Sequence, residues 1–68
     1  MKYSDEIIKQ YLDGHGIPWD QYFVLNSQLP AYRDNNGRLM TLVIEDDAMH
    51  SAVQSFLIRM GKTELLGN

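Results

Sequence analysis

The sequence predicts an α+β domain, a two-layer αβββα sandwich in which two helices pack on one face of a small antiparallel sheet. Two segments, one near each end of the chain, carry apolar residues at helical spacing. Between them lie short aromatic and β-branched runs, and two of these flank a turn of Asp, Asn and Gly. Packing both helices on one face of the sheet lets every element bury its apolar side.

The first helix is predicted over residues 4–13. Ser4 is a suitable N-cap, and the two acidic residues after it complement the positive end of the helix dipole. Gly14 and Gly16 predict the end of the helix, since glycine adopts the left-handed cap conformation without steric cost. The apolar stripe of this helix comprises Tyr3, Ile7, Ile8, Tyr11 and Leu12.

The segment after Pro18 is ambiguous. Residues 22–25 are aromatic and β-branched and predict a short strand. Residues 19–21 before them can instead form a single helical turn that opens after the proline. We therefore expect one short strand within residues 17–26.

A β-hairpin is the clearest local signal. Leu29–Arg33 and residues 38–44 flank the turn at 34–37, in which Gly37 can take the positive φ that a type I turn with a bulge requires. Pro30 cannot donate to a ladder, which predicts that its strand lies at an edge or begins there. The uninterrupted strand 38–44 is then the better candidate for the centre of the sheet.

The second helix is predicted over residues 47–60, with Asp46 or Asp47 as its cap and Gly61 at its end. We expect one domain over residues 1–62. Residues 63–68 are predicted to be a short, frayed tail, in which Leu65 and Leu66 can fold back on the core.

Composition limits the class of protein. The 68 residues contain six basic and nine acidic side chains, a formal charge of -3, and no cysteine, which excludes a disulfide framework and suits a reducing cytoplasm. No run approaches the roughly 20 apolar residues of a membrane span. The first six residues lack the apolar region of a signal peptide. We predict a small, acidic, cytoplasmic domain.

The predicted long strand is apolar on both faces, which suggests a binding surface. If its even-numbered residues meet the helices, the others point outward. A chain this short is marginally stable alone, which favours a partner subunit. We predict a non-enzymatic protein–protein interaction module: a homodimer, or an adaptor or regulator that docks on a partner. The predicted contacts are edge pairing along Leu29–Arg33 or the outer face, with Leu39, Thr41, Val43 and Tyr32. Alternatively, the tail or the loop at 14–19 covers that face.

Two alternatives involve charge. Arg33 and Arg38 flank the hairpin turn and can contact a phosphate backbone. The αβββα order resembles that of double-stranded-RNA-binding domains and of HicA-like toxins, and the first resemblance implies RNA binding. However, residues 45–47 are acidic where the former family has lysines, and residues 26–44 lack the histidine of the latter. The net charge also disfavours nucleic acid. The other alternative is an acidic inhibitor, comparable to an antitoxin, that caps a basic partner.

Signals for catalysis or metal binding are weak. Asp46, Asp47 and His50 can share one side of a helical turn, as metal ligands do. Helix capping explains the two carboxylates equally well. No nucleophile motif or glycine-rich phosphate loop is present. The sequence predicts no catalytic residue, no cofactor and no enzymatic activity.

Overall fold

The computed structural model describes residues 3–66, which form two helices, four strands and one 3₁₀ turn. The predicted α+β class is confirmed. In chain order the elements are α1 (Asp5–Asp13), the 3₁₀ turn (Trp19–Gln21), β1 (Phe23–Leu25), β2 (Leu29–Arg33), β3 (Leu39–Thr41), α2 (Asp47–Arg59) and β4 (Thr63–Glu64).

The sheet is open and mixed, with the strand order β3-β2-β1-β4. The first three strands pair antiparallel, as predicted, whereas β4 runs parallel to β1. The strand β4 was not predicted, because its two residues carry no periodicity. The main-chain N–H of Val24 donates to Lys62 O at 2.8 Å, and that of Asn26 donates to Glu64 O at 2.9 Å. These bonds hold the start of the predicted frayed tail in the sheet.

The rest of the predicted tail behaves differently. Leu65 and Leu66 are exposed, so the expectation that they fold back on the core is wrong. The last two residues, Gly67 and Asn68, lie outside the described part of the chain.

The predicted strand order was wrong in one respect: β2 is internal and β3 forms an edge. Pro30 is tolerated in β2 because it is the second residue of that strand and its carbonyl still accepts a hydrogen bond from Leu42 N–H, at 2.9 Å. The predicted strand 38–44 is regular over Leu39–Thr41 only, since the chain then leaves the sheet to reach α2.

Both helix N-caps follow the prediction, whereas Gly14, the C-cap of α1, has a right-handed φ of -64°. The side chain of Ser4 accepts from Ile7 N–H at 3.3 Å, and the Asp46 carboxylate accepts from two amides at the start of α2. Gly16 and Gly61, which follow the two helices, have φ of 87° and 74°. Within residues 3–66, neither helix is long and apolar enough to cross a bilayer.

Both hairpin turns contain residues with a left-handed backbone conformation, but the sequence predicted only the turn between β2 and β3. Gly37 has a φ of 78°, and the carboxylate of Asp34 accepts from the amides of Asn36 and Arg38, each at 2.9 Å. In the turn between β1 and β2, two residues without glycine's freedom, Asn26 and Ser27, have φ of 53° and 63°.

Both helices pack on one face of the sheet, as predicted. The face is defined by Val24, which is fully buried, and Tyr22 lies buried next to it. Strand alternation places Pro30, Tyr32, Met40 and Leu42 on this same face, because Val24 pairs with Pro30 and Tyr32 with Met40. The core cluster consists of Ile8, Leu12, Tyr22, Val24, Met49, Val53, Phe56 and Leu57.

Candidate protein-binding surface

The opposite face of the sheet, here called the outer face, is not covered by either helix. Register and alternation assign residues from all four strands to it. They are Phe23, Leu25, Leu29, Ala31, Arg33, Leu39, Thr41 and Glu64.

The centre of the outer face is closed by the protein's own side chains. Ala31 is fully buried and Leu25 is 7% exposed, although neither α1 nor α2 lies over them. The Arg33 guanidinium lies 5.9 Å from the centre of the Phe23 ring and forms an ion pair with Glu64, so it spans β1. The face therefore presents a charged pair at its middle, with apolar residues toward its rim.

The rim includes a free edge at β3. Leu42 N–H donates to Pro30 O and Arg38 O accepts from Asp34 N–H, so the even-numbered residues of this segment bond to β2. The main-chain groups of Leu39 and Thr41 consequently point away from the sheet. No strand within residues 3–66 pairs with them.

The side chains beyond β3 continue the alternation. Leu42 and Ile44 pack against the core, whereas Val43 between them is 78% exposed. The edge segment, residues 39–44, reads Leu-Met-Thr-Leu-Val-Ile and contains neither a charge nor a proline. Such an unprotected edge is a template for pairing with another chain.

The predicted surface residues fall into two groups. Leu39 and Thr41 share the outer face along the edge segment, and Val43 continues it. Tyr32 was placed with them wrongly. It pairs with Met40 on the helix face, and its ring packs edge-on against Tyr22 at 5.4 Å between centroids.

Edge pairing along Leu29–Arg33 is also excluded, because this strand has a neighbour on each side. The main-chain N–H and C=O groups of β2 are bonded to β1 and β3. Strand addition is possible at β3 or at β4 instead.

The two arginines of the nucleic-acid alternative do not form a joint site. Arg33 is paired with Glu64 across the outer face, whereas Arg38 pairs with Asp34 in the hairpin turn, at 3.3 Å between Nε and Oδ2. Each positive charge is thus offset by a carboxylate, which weakens its attraction for phosphate.

Of the three candidate metal ligands, Asp46 caps the start of α2. Asp46 Oδ1 accepts from Ala48 N–H at 2.9 Å and from Met49 N–H at 3.4 Å. Its Oδ2 accepts from the Tyr3 hydroxyl at 3.2 Å, and this hydrogen bond raises the pKa of Tyr3. Among residues 3–66, Asp46, Asp47 and His50 do not converge as a group of three potential ligands.

A groove of about 570 Å³ that the sequence did not predict lies along the two helices. At one end of it, the Arg59 guanidinium bonds both Asp5 oxygens, at 3.1 and 3.2 Å, and thereby lowers the pKa of Asp5. No sequence pattern pointed to it, because its walls are mostly small residues of α2. The groove is lined by Tyr3, Ile8, Ala48, Ser51, Ala52, Ser55 and Arg59.

Comparisons with protein families, curated proteins and solved structures give no match to this chain.

Proposed function

We propose that this chain is a non-enzymatic protein-binding module that accepts an extended segment of another polypeptide along the free edge of β3. The observation that carries the proposal is the edge segment itself, an uncharged run of six residues in which the outward main-chain groups of Leu39 and Thr41 have no partner strand within residues 3–66. An added strand would pair with Leu39 and Thr41 through main-chain hydrogen bonds.

Selectivity would come from the side chains beside the edge. Leu39, Thr41 and Val43 alternate with core-facing residues, so a bound strand meets them on one side. Leu29, which is 46% exposed, extends the apolar rim. Because Arg33 and Glu64 are already paired, recognition by this surface would depend on apolar contacts and main-chain hydrogen bonds more than on charge.

A matched pair of proline variants tests the proposal. Thr41→Pro removes an outward amide at the β3 edge without removing a bond to β2. Thr63→Pro removes the corresponding outward amide at the β4 edge, since Lys62 and Glu64 make the bonds to β1. Short random peptides displayed on phage are selected against the wild-type domain, and binding to both variants is then measured. Circular dichroism establishes that both variants fold.

We expect selected peptides to bind the wild type and Thr63→Pro, and to lose at least about tenfold in affinity for Thr41→Pro. In the complex, the amides of Leu39 and Thr41 become protected from hydrogen exchange. Equal binding to both proline variants, or failure to select any peptide against a wild type that is itself monomeric, would overturn the proposal.

A further inference from the structure

The two edges of the sheet differ in their protection. The edge at β4 has two residues, Thr63 and Glu64, and is flanked by Lys62, so charges stand on and beside it. Natural proteins use such short, charged edges to prevent unwanted strand pairing. The edge segment 39–44 has neither charge nor proline, and its composition favours β-structure. The β3 edge lacks this protection.

The edge segment is complementary to itself when two copies run antiparallel about a two-fold axis at Thr41. In this register Thr41 faces Thr41 of the second copy, Leu39 faces Val43, and Met40 faces Leu42. Threonine pairs and apolar pairs are both favourable across strands. The outward main-chain groups of Thr41 would bond to Thr41 of the second copy. Those of Leu39 would bond to Val43, which follows the regular part of β3 and would extend that strand in the dimer.

The charges at the ends of the segment disfavour the parallel alternative. Arg38 precedes the segment and Glu45 follows it, and both side chains are exposed. Antiparallel pairing places Arg38 of one copy opposite the uncharged Ile44 of the other, while strand alternation puts Glu45 on the opposite face, so Arg38 meets no like charge. A parallel, in-register pair would instead bring Arg38 beside Arg38.

We propose that the occupant of the β3 edge is a second copy of this chain, paired antiparallel about Thr41 so that two four-stranded sheets become one of eight strands. This inference rests on the proposed function and names its partner. A two-fold contact uses the same edge of both copies and closes at the dimer. The protected β4 edges then form the outer limits of the continuous sheet.

Charged substitutions at the two-fold axis test the pairing, because Thr41 is the one residue that faces its own copy. Thr41→Lys and Thr41→Glu each place like charges opposite one another, and a 1:1 mixture places opposite charges there. Light scattering after size exclusion, over about a hundredfold range of concentration, measures the mass. We expect a wild-type dimer, at least about tenfold weaker dimerisation of each variant alone, and recovery in the mixture.

Thr63→Lys and Thr63→Glu are the matched controls on the other edge and should dimerise like the wild type. A monomeric wild type, or Thr41 variants that dimerise unchanged, would overturn the second copy as occupant. A 1:1 mixture of Thr41→Lys and Thr41→Glu that does not regain dimerisation would also overturn it. The peptide experiment separates these failures from failure of the proposed function: a monomer that still binds selected peptides through Thr41 retains the β3 docking site and lacks only self-pairing.

Discussion

Arg33 reaches across β1 to form an ion pair with Glu64, and so links an internal strand to the last strand of the sheet. The guanidinium also lies against Phe23, which it shields on the face opposite α1 and α2. The pair thus joins residues 31 positions apart in the chain and holds β4 in place.

We expect Glu64→Gln to destabilise the fold modestly, by about 0.5 kcal/mol, because the two side chains are 44% and 40% exposed and solvent screens their attraction. Urea unfolding of the wild type, Arg33→Gln, Glu64→Gln and the double variant isolates the coupling. This coupling should shrink when salt is raised from about 0.05 to 0.5 M. A coupling that does not change with salt would contradict an electrostatic role.

The cap of α2 gives a second prediction. Asp46→Ala removes the acceptor of two helix amides and of the Tyr3 hydroxyl, so we expect a loss of about 1 kcal/mol in the free energy of unfolding. Asp47→Ala is the control, since Asp47 lies in the same first turn but does not cap it. Equal losses in the two variants would show that charge near the helix dipole, rather than capping, is what matters.

Local signals explain what the sequence predicted well. Ser4, Asp46 and Gly37 act on neighbouring residues, so helix ends and the hairpin turn follow from short motifs. The face of Tyr32 depends instead on the register that pairs Arg33 with Leu39, and a shift of one residue reverses a whole strand. The alternation within residues 39–43 was therefore predictable, whereas the face of Tyr32 relative to it was not.

Non-local pairing explains the remaining differences. The strand β4 owes its existence to hydrogen bonds with β1, some 40 residues earlier, and its two residues give no pattern of their own. The free edge at β3 follows from this order, because β4 occupies the other side of β1. The sequence named Leu39, Thr41 and Val43 together with Tyr32 and the strand Leu29–Arg33, and the fold was required to separate the first three from the others and to show that they lie at an edge.

Tyr22 offers a third prediction. Its side chain is buried, and its hydroxyl has no hydrogen-bond partner among residues 3–66. Removing an unpaired buried polar group recovers its desolvation cost, so Tyr22→Phe should leave stability unchanged or raise it by up to about 1 kcal/mol. Tyr3→Phe, which removes a hydroxyl that donates to Asp46, should be slightly destabilising in the same urea titration. A clear loss of stability in Tyr22→Phe would reveal a hydrogen bond to solvent at this hydroxyl.

The same residue predicts a pH dependence. Burial raises the pKa of Tyr22 above its ordinary value of 10.0, and the neighbouring Tyr32 adds to the shift. The folded state therefore favours the neutral phenol. The contribution of the neutral Tyr22 phenol to the free energy of unfolding is fully present below pH 10.0. It is lost as the pH rises through the higher folded-state pKa. Between pH of about 9 and 11, the wild type should lose more stability than Tyr22→Phe. Parallel losses would show that Tyr22 ionises as it does in the unfolded chain.

The turn between β1 and β2 gives the last prediction. Ser27 has a φ of 63°, a conformation that costs a residue with a Cβ about 1–2 kcal/mol, and Gln54 of α2 holds it there by donating to Ser27 O at 2.6 Å. Glycine relieves this strain but costs about 0.5–1 kcal/mol of chain entropy, so Ser27→Gly should stabilise the fold by up to about 1 kcal/mol. Asn26→Gly is the control: Asn26 has a similar φ of 53°, but its side chain accepts from Leu66 N–H, at 2.9 Å. We expect it to gain less than Ser27→Gly, or to lose stability. If both variants gain equally in thermal and urea unfolding, the Asn26 side chain contributes nothing to holding the segment after β4.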